Sequence, residues 1–179
     1  VPKRTPKQKR DRIKVHGGDN VELVLVGDTF DEAAEAARND AEARGATIVE
    51  PFNARNTVIG QGTVGAEVVS QLSGLGKSLD SIVVPVGGGG LLAGITSYLA
   101  DMSPRTAVVG AEPAGGRSLQ AALDAGEPVT LETVDPFVDG AAVKRIGDVN
   151  YHIIEENLGR LHVVSVDEGA VCTLSLIHI

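Results

Sequence analysis

Five apolar runs of strand length are spaced along the chain: Val21–Val26, Thr47–Val49, Ser81–Val86, Thr106–Ala111 and Leu161–Val166. Between them the apolar positions recur at helical spacing. Thr5 and Pro6 predict a helix start, with Thr5 as N-cap, and Gly17-Gly18 ends that helix after about His16. Thr29 with Glu32 reads as a capping box, and Phe30, Ala33, Ala34, Ala37 and Ala41 then share one face up to Gly45. Residues Pro51 to Gly62 read as irregular, and Val64, Val68, Val69 and Leu72 as a helix from about Thr63. Further helices are expected over Leu92–Leu99, Ser118–Ala125, Asp148–Leu158 and from Asp167 onward. Strands alternating with helices predict an α/β fold, a mainly parallel sheet in three layers with helices on both faces. The turn-rich stretch near Pro51 separates two βα blocks and marks a domain boundary.

Composition narrows the chemistry. Apolar residues make up 42% of the 179, enough for a core, but aromatics are 3% and Trp is absent, so the core is aliphatic. A net charge of −8 argues against general nucleic-acid binding. The cations near the start, Lys3 to Lys14, read as a solvated helix face. The one cysteine, Cys172, has no partner within the chain, which suits a reducing, cytoplasmic compartment, and no apolar run has membrane-spanning length.

The densest chemical signal is Gly87-Gly88-Gly89-Gly90-Leu91, between a predicted strand and a predicted helix. Residues without Cβ let the backbone turn sharply and bring its N–H groups close to a guest. The first amides of the following helix have no internal acceptor and sit at the positive end of its dipole. The combination predicts a phosphate cradle. Gly88 to Ala93 also fits a dinucleotide pattern, with Glu112 at the end of the next strand as a candidate ribose-binding acid, so an NAD(P)-binding oxidoreductase is a second reading. A non-catalytic ligand-binding domain is a third.

Longer stretches carry a resemblance. Val84-Pro85-Val86-Gly87-Gly88-Gly89-Gly90-Leu91 resembles the phosphate loop of pyridoxal-phosphate enzymes of the tryptophan-synthase-β fold (fold type II). Pro2 to Lys9, Gly60-Gln61-Gly62-Thr63, Val108 to Pro113 and Asp139 to Asp148 are similar to threonine dehydratases (threonine ammonia-lyases) of the biosynthetic, isoleucine-pathway type. The likeness runs from residue 1 to about 173, in the same order and spacing. It implies pyridoxal 5'-phosphate as cofactor, held at its phosphate by Gly87, Gly88, Gly89, Gly90 and Leu91. It implies conversion of L-threonine to 2-oxobutanoate and ammonia. Serine dehydratase and serine racemase share the fold and stay open as alternatives.

The resemblance also implies an incomplete piece. The family's cofactor-bearing lysine lies in a Ser-Phe-Lys type motif that this sequence does not contain, so no catalytic residue is assigned and the chain alone is expected to be inactive. Lys144 is the nearest substitute, and reads instead as an ion-pair member beside Arg145 and Asp148. On this reading residues 1–51 are the end of a smaller cofactor domain and 52–173 part of a larger one. Residues 174–179, with four apolar positions in six, are a non-native tail. Some relatives bind a divalent cation through a glutamate at the place of Glu112 and an aspartate at the place of Ser118; with a hydroxyl there, no metal is expected. His16, His152, His162 and His178 show no ligand spacing. Asp139 and Asp148 read as turn or cap residues, with Asp139-Gly140 approaching the pocket. The partners implied are a small amino-acid substrate and further copies of the full-length chain, as a dimer or tetramer.

Overall fold

The structure, a computed structural model, describes residues 1–28, 30–135, 137–138 and 140–167. The chain divides into two compact units, Val1–Val49 and Glu50–Ile179.

The first unit holds α1 (Lys7–Gly17) and α2 (Phe30–Arg44). Pro6, not Thr5, occupies the N-cap of α1 in an extended conformation, so that helix starts one residue later than expected. Gly18 and Gly45 take positive φ of 53° and 63° just past the two helices, where a Cβ would be strained. Ala33 and Ala41 form the buried stripe of α2, and Thr29 of the expected capping box lies outside the described residues. The strand expected at Val21–Val26 does not form. Its backbone meets only the chain start, where Val26 N–H donates to Val1 O (3.0 Å) and Lys3 N–H to Gly27 O (2.9 Å). Val24 stays 51% exposed, so the run buries too little to hold a ladder. Thr47–Val49 is likewise coil, with Val49 87% exposed.

The second unit carries α3 (Arg55–Gly74), β1 (Ser81–Pro85), α4 (Gly90–Met102), β2 (Ala107–Pro113), α5 (Ser118–Ala125), α6 (Asp148–Glu155) and β3 (Leu161–Val166). The strands form a parallel sheet in the order β1-β2-β3, with Ile82 opposite Val108 and Val108 opposite Leu161. Parallel neighbours need crossovers, and α4 and then α5 with α6 supply them. Ile82, Val84, Val108, Gly110 and Leu161 face one aliphatic core with Leu92, Ile95 and Leu99 of α4, Leu119 of α5 and Tyr151 and Ile154 of α6. The absence of a side chain at Gly110 lets Leu92 approach, because a Cβ there would lie 3.1 Å from its Cδ2. Val83 and Val164, on the opposite face of the sheet, are 61% and 42% exposed.

Helix α3 begins eight residues before its expected start at Thr63. Gly60 and Gly62 looked like loop residues, but Gly62 is a contact point between helices. A Cβ built on Gly94 of α4 would stand 2.5 Å from Gly62 N and 2.5 Å from Val58 O. Glycines at this crossing bring the two backbones together, and tertiary packing outweighs their poor helix propensity. Helix α6 ends at Glu155, three residues earlier than expected, and a 3-10 turn at Leu158–Arg160 leads into β3. The expected final helix and the 174–179 tail lie outside the described residues.

Candidate functional site

The glycine loop connects the C-terminal end of β1 to the N-terminus of α4. Val84 and Val86 anchor its entry in the core, each 1% exposed. Gly89 is the N-cap of α4, with φ +86°, a conformation natural only to glycine. Crowding explains its neighbours. A Cβ on Gly87 would reach Ala141 Cα at 3.1 Å, and one on Gly90 would reach Phe52 O at 3.1 Å. One on Gly88 would overlap the ring of Phe52.

Every carbonyl at the centre of the loop is tied back into the protein. Gly88 O accepts from the Gly147 N–H (3.1 Å) and from Asn150 Nδ2 (2.6 Å). Gly89 O accepts from the Ala93 N–H (2.9 Å), and Gly87 O meets Ser118 Oγ at a long 3.4 Å. The N–H groups of Gly87, Gly88, Gly89, Gly90, Leu91 and Leu92 have no acceptor among the described residues. In a trans peptide C=O and N–H point opposite ways, and no peptide here is cis. Turning the carbonyls inward therefore turns the donors outward. The donors so turned, at Gly88, Gly89 and Gly90, stand at the positive end of a 13-residue helix, an arrangement that favours an anion.

A cleft of about 510 Å³ opens over the loop. Pro51, Phe52, Gln61, Val138, Gly140, Ala141 and Val143 line it together with Gly87–Leu91. Among the described residues no charged side chain lines it, so an anion would be held there by backbone dipoles, and the apolar walls suit a flat ring attached to it. The phosphate and ring of pyridoxal phosphate match that division, and the loop N–H groups without acceptors fit the phosphate. Gly140 reaches the cleft as expected, while Asp139 lies outside the described residues.

Glu112 plays neither of the ligand roles open to it from sequence. It is 1% exposed, and its Oε1 and Oε2 accept the N–H groups of Leu119 (2.7 Å) and Gln120 (2.9 Å) at the start of α5. Burial pushes its pKa above the ordinary value, and those two hydrogen bonds pull the other way. With both oxygens engaged inside the protein, it presents none to a ribose or a cation. Among the described residues no group of three or more His, Cys, Asp or Glu could hold a metal ion. Lys144 does not line the cleft; its Nζ donates to Glu132 O (3.2 Å) at the surface. The ion pair is made by its neighbour instead, Arg145 gripping Asp148 through two bonds of 2.9 and 2.7 Å.

Sequence reasoning missed three contributors. Phe52 sat in a stretch read as irregular, and Gly147 and Asn150 in what looked like an ordinary helix start. The turn-rich composition around Pro51 carried a faint signal for the first. Gly147 closed the stretch Asp139 to Asp148 that carries the family resemblance, but nothing local marked Asn150, whose partner Gly88 lies 62 residues away.

Known proteins bear on this geometry. Residues 1–178 match the family of pyridoxal-phosphate dependent enzymes. The chain is 69% identical over 173 residues to the L-threonine dehydratase biosynthetic IlvA of Corynebacterium glutamicum, covering 97% of this chain and 40% of that protein. It is 53% identical over 176 residues to the protein of the same name in Mycobacterium bovis, covering 98% and 40%. The chain thus spans about two fifths of the length of these relatives. The processed threonine deaminase isoform 2 of Solanum lycopersicum superposes with a TM-score of 0.80 at 36% identity, over 92% of this chain and 46% of that one. Maize serine racemase gives 0.84 at 26% identity, over 97% and 50%. No described helix is long and apolar enough to cross a membrane. With its three parallel strands, its glycine loop and a family match along nearly its whole length, the chain belongs to the pyridoxal-phosphate dependent enzymes.

Proposed function

We propose that this chain is the phosphate-binding portion of a threonine dehydratase, a carbon–nitrogen lyase that converts L-threonine to 2-oxobutanoate and ammonia in the cytoplasm as part of isoleucine biosynthesis. The observation that carries the proposal is the run of N–H groups at Gly87–Leu92 that have no acceptor among the described residues, beside an apolar-walled cleft whose described lining carries no charge. Gly87, Gly88, Gly89, Gly90 and Leu91 would hold the phosphate of pyridoxal 5'-phosphate, with Phe52, Val138 and Val143 excluding water beside it. When bound, the cofactor supplies an electron sink for the carbanion left by loss of the substrate Cα proton. The chain's own part is binding and orientation. The backbone nest fixes the anionic end, so that the attached ring has one address.

The cleft lining contains no lysine among the described residues. Residues 1–51 fit the end of a smaller cofactor domain and 52–173 part of the larger, and the complete enzyme would work as a dimer or tetramer. Two experiments test the reading. Titration of the chain should give tighter binding of pyridoxal 5'-phosphate than of NAD, followed by absorbance and by protein fluorescence; preference for NAD would reverse the assignment. The likeness to serine racemase keeps serine as a competing substrate. A polypeptide of the relatives' full length should release 2-oxobutanoate from threonine faster than pyruvate from serine.

A further inference from the structure

We infer that Asn150 is a positioning residue for the anion nest: its side-chain amide sets the Gly88–Gly89 peptide so that the Gly89 N–H faces the cleft. The inference rests on the phosphate reading of the loop and goes beyond it, to a residue that touches no ligand. Asn150 is fully buried in the first turn of α6. Its Nδ2 donates to Gly88 O at 2.6 Å, and the Gly147 N–H one turn earlier supplies a second donor at 3.1 Å. The amide orientation follows from chemistry, since the flipped amide would set Oδ1 against a carbonyl oxygen. Oδ1 itself has no partner among the described residues. A buried amide with one end idle is a poor choice for packing, where leucine of similar size would serve. What the amide gains is hold on one carbonyl, and through the planar peptide on the N–H opposite to it.

The peptide has reason to rotate without this hold. Gly88 and Gly89 are glycines, the residue type with the greatest conformational freedom, and neighbouring N–H groups without acceptors at a helix N-terminus repel each other. Two donors on Gly88 O offset both tendencies before binding. Ile146 and the Asn150 Cβ pack beneath Gly89, within 3.2 Å of where its own Cβ would be, so Asn150 is held close to the peptide it bonds.

The test compares the purified chain with Asn150→Leu and Asn150→Asp, measuring dissociation constants for pyridoxal 5'-phosphate and for pyridoxal, which lacks the phosphate. Asn150→Leu should lower the preference for the phosphorylated form about tenfold while leaving pyridoxal binding unchanged. Asn150→Asp, which places an acceptor where a donor was, should lower it further and serves if the leucine variant does not fold. Asn53→Ala is the control, because Asn53 Oδ1 accepts the Val149 N–H (3.0 Å) at the same helix start without touching the loop. It should reduce stability and leave the preference intact. An undiminished preference in both Asn150 variants overturns the inference, as does an equal loss in Asn53→Ala. If the unmodified chain itself fails to prefer the phosphorylated form, the phosphate reading of the loop is what fails, and the role of Asn150 goes with it.

Discussion

Replacing Gly94 by alanine probes the packing that carries the loop's helix. The new Cβ would stand 2.5 Å from Gly62 N, 2.5 Å from Val58 O and 2.9 Å from Gln61 C, where ordinary contact begins at 3.4 Å. All three atoms are α3 backbone, so no side-chain rotation relieves the clash, and the helices must part by nearly 1 Å. Overpacking of this kind costs about 3 kcal/mol, and alanine's better helix propensity returns about 1 kcal/mol, leaving a net loss of about 2 kcal/mol. In urea this corresponds to a midpoint lowered by about 1 M. Gly60→Ala is the matched comparison. Gly60 lies in the same helix α3, is exposed, and has open space around its would-be Cβ. That variant should be stabilised by up to about 1 kcal/mol. Equal or greater stability for Gly94→Ala would refute the claim that glycines set this helix crossing.

Three further outcomes follow from the same contacts. Gly89→Ala forces a side chain onto a residue at φ +86° and to 2.9 Å from Ile146 Cδ1, so pyridoxal-phosphate affinity should fall at least tenfold in a titration. Glu112 has a folded pKa above its ordinary 4.5, so the native state holds its proton longer than the unfolded chain does. Stability contributed by this group is therefore full below the ordinary value and declines as pH rises through the raised one; urea midpoints across that range should show the decline, and Glu112→Gln should flatten it. Asp148→Asn should cost under about 1 kcal/mol by thermal unfolding, because its pair with Arg145 is solvent-exposed.

The strands and helices around the core were legible because each is a short apolar run bounded by turn residues. Ser81–Pro85, Ser118–Ala125 and Leu161–Val166 fall where periodicity puts them. The glycine loop was legible because four residues without Cβ at a strand end have few other uses. Gly60 and Gly62 misled for a physical reason: a glycine permits either a turn or a close helix approach, and only the partner helix decides. Val21–Val26 misled because apolar alternation signals a strand only where another strand is available to pair. Asn150 was invisible for a third reason. Its role lies in a hydrogen bond across 62 residues, and a polar residue in a helix's first turn is otherwise unremarkable.

The inward-turned carbonyls divide the labour of recognition. On the phosphate reading proposed above, the grip on the charge would be made from main chain, so side chains of the cleft wall outside the glycine loop would contribute shape and not charge. Changes at Val138 would then alter the shape of what hangs from the anion without removing a donor. One loop can thus serve as a fixed handle while the reaction performed beyond it is rewritten.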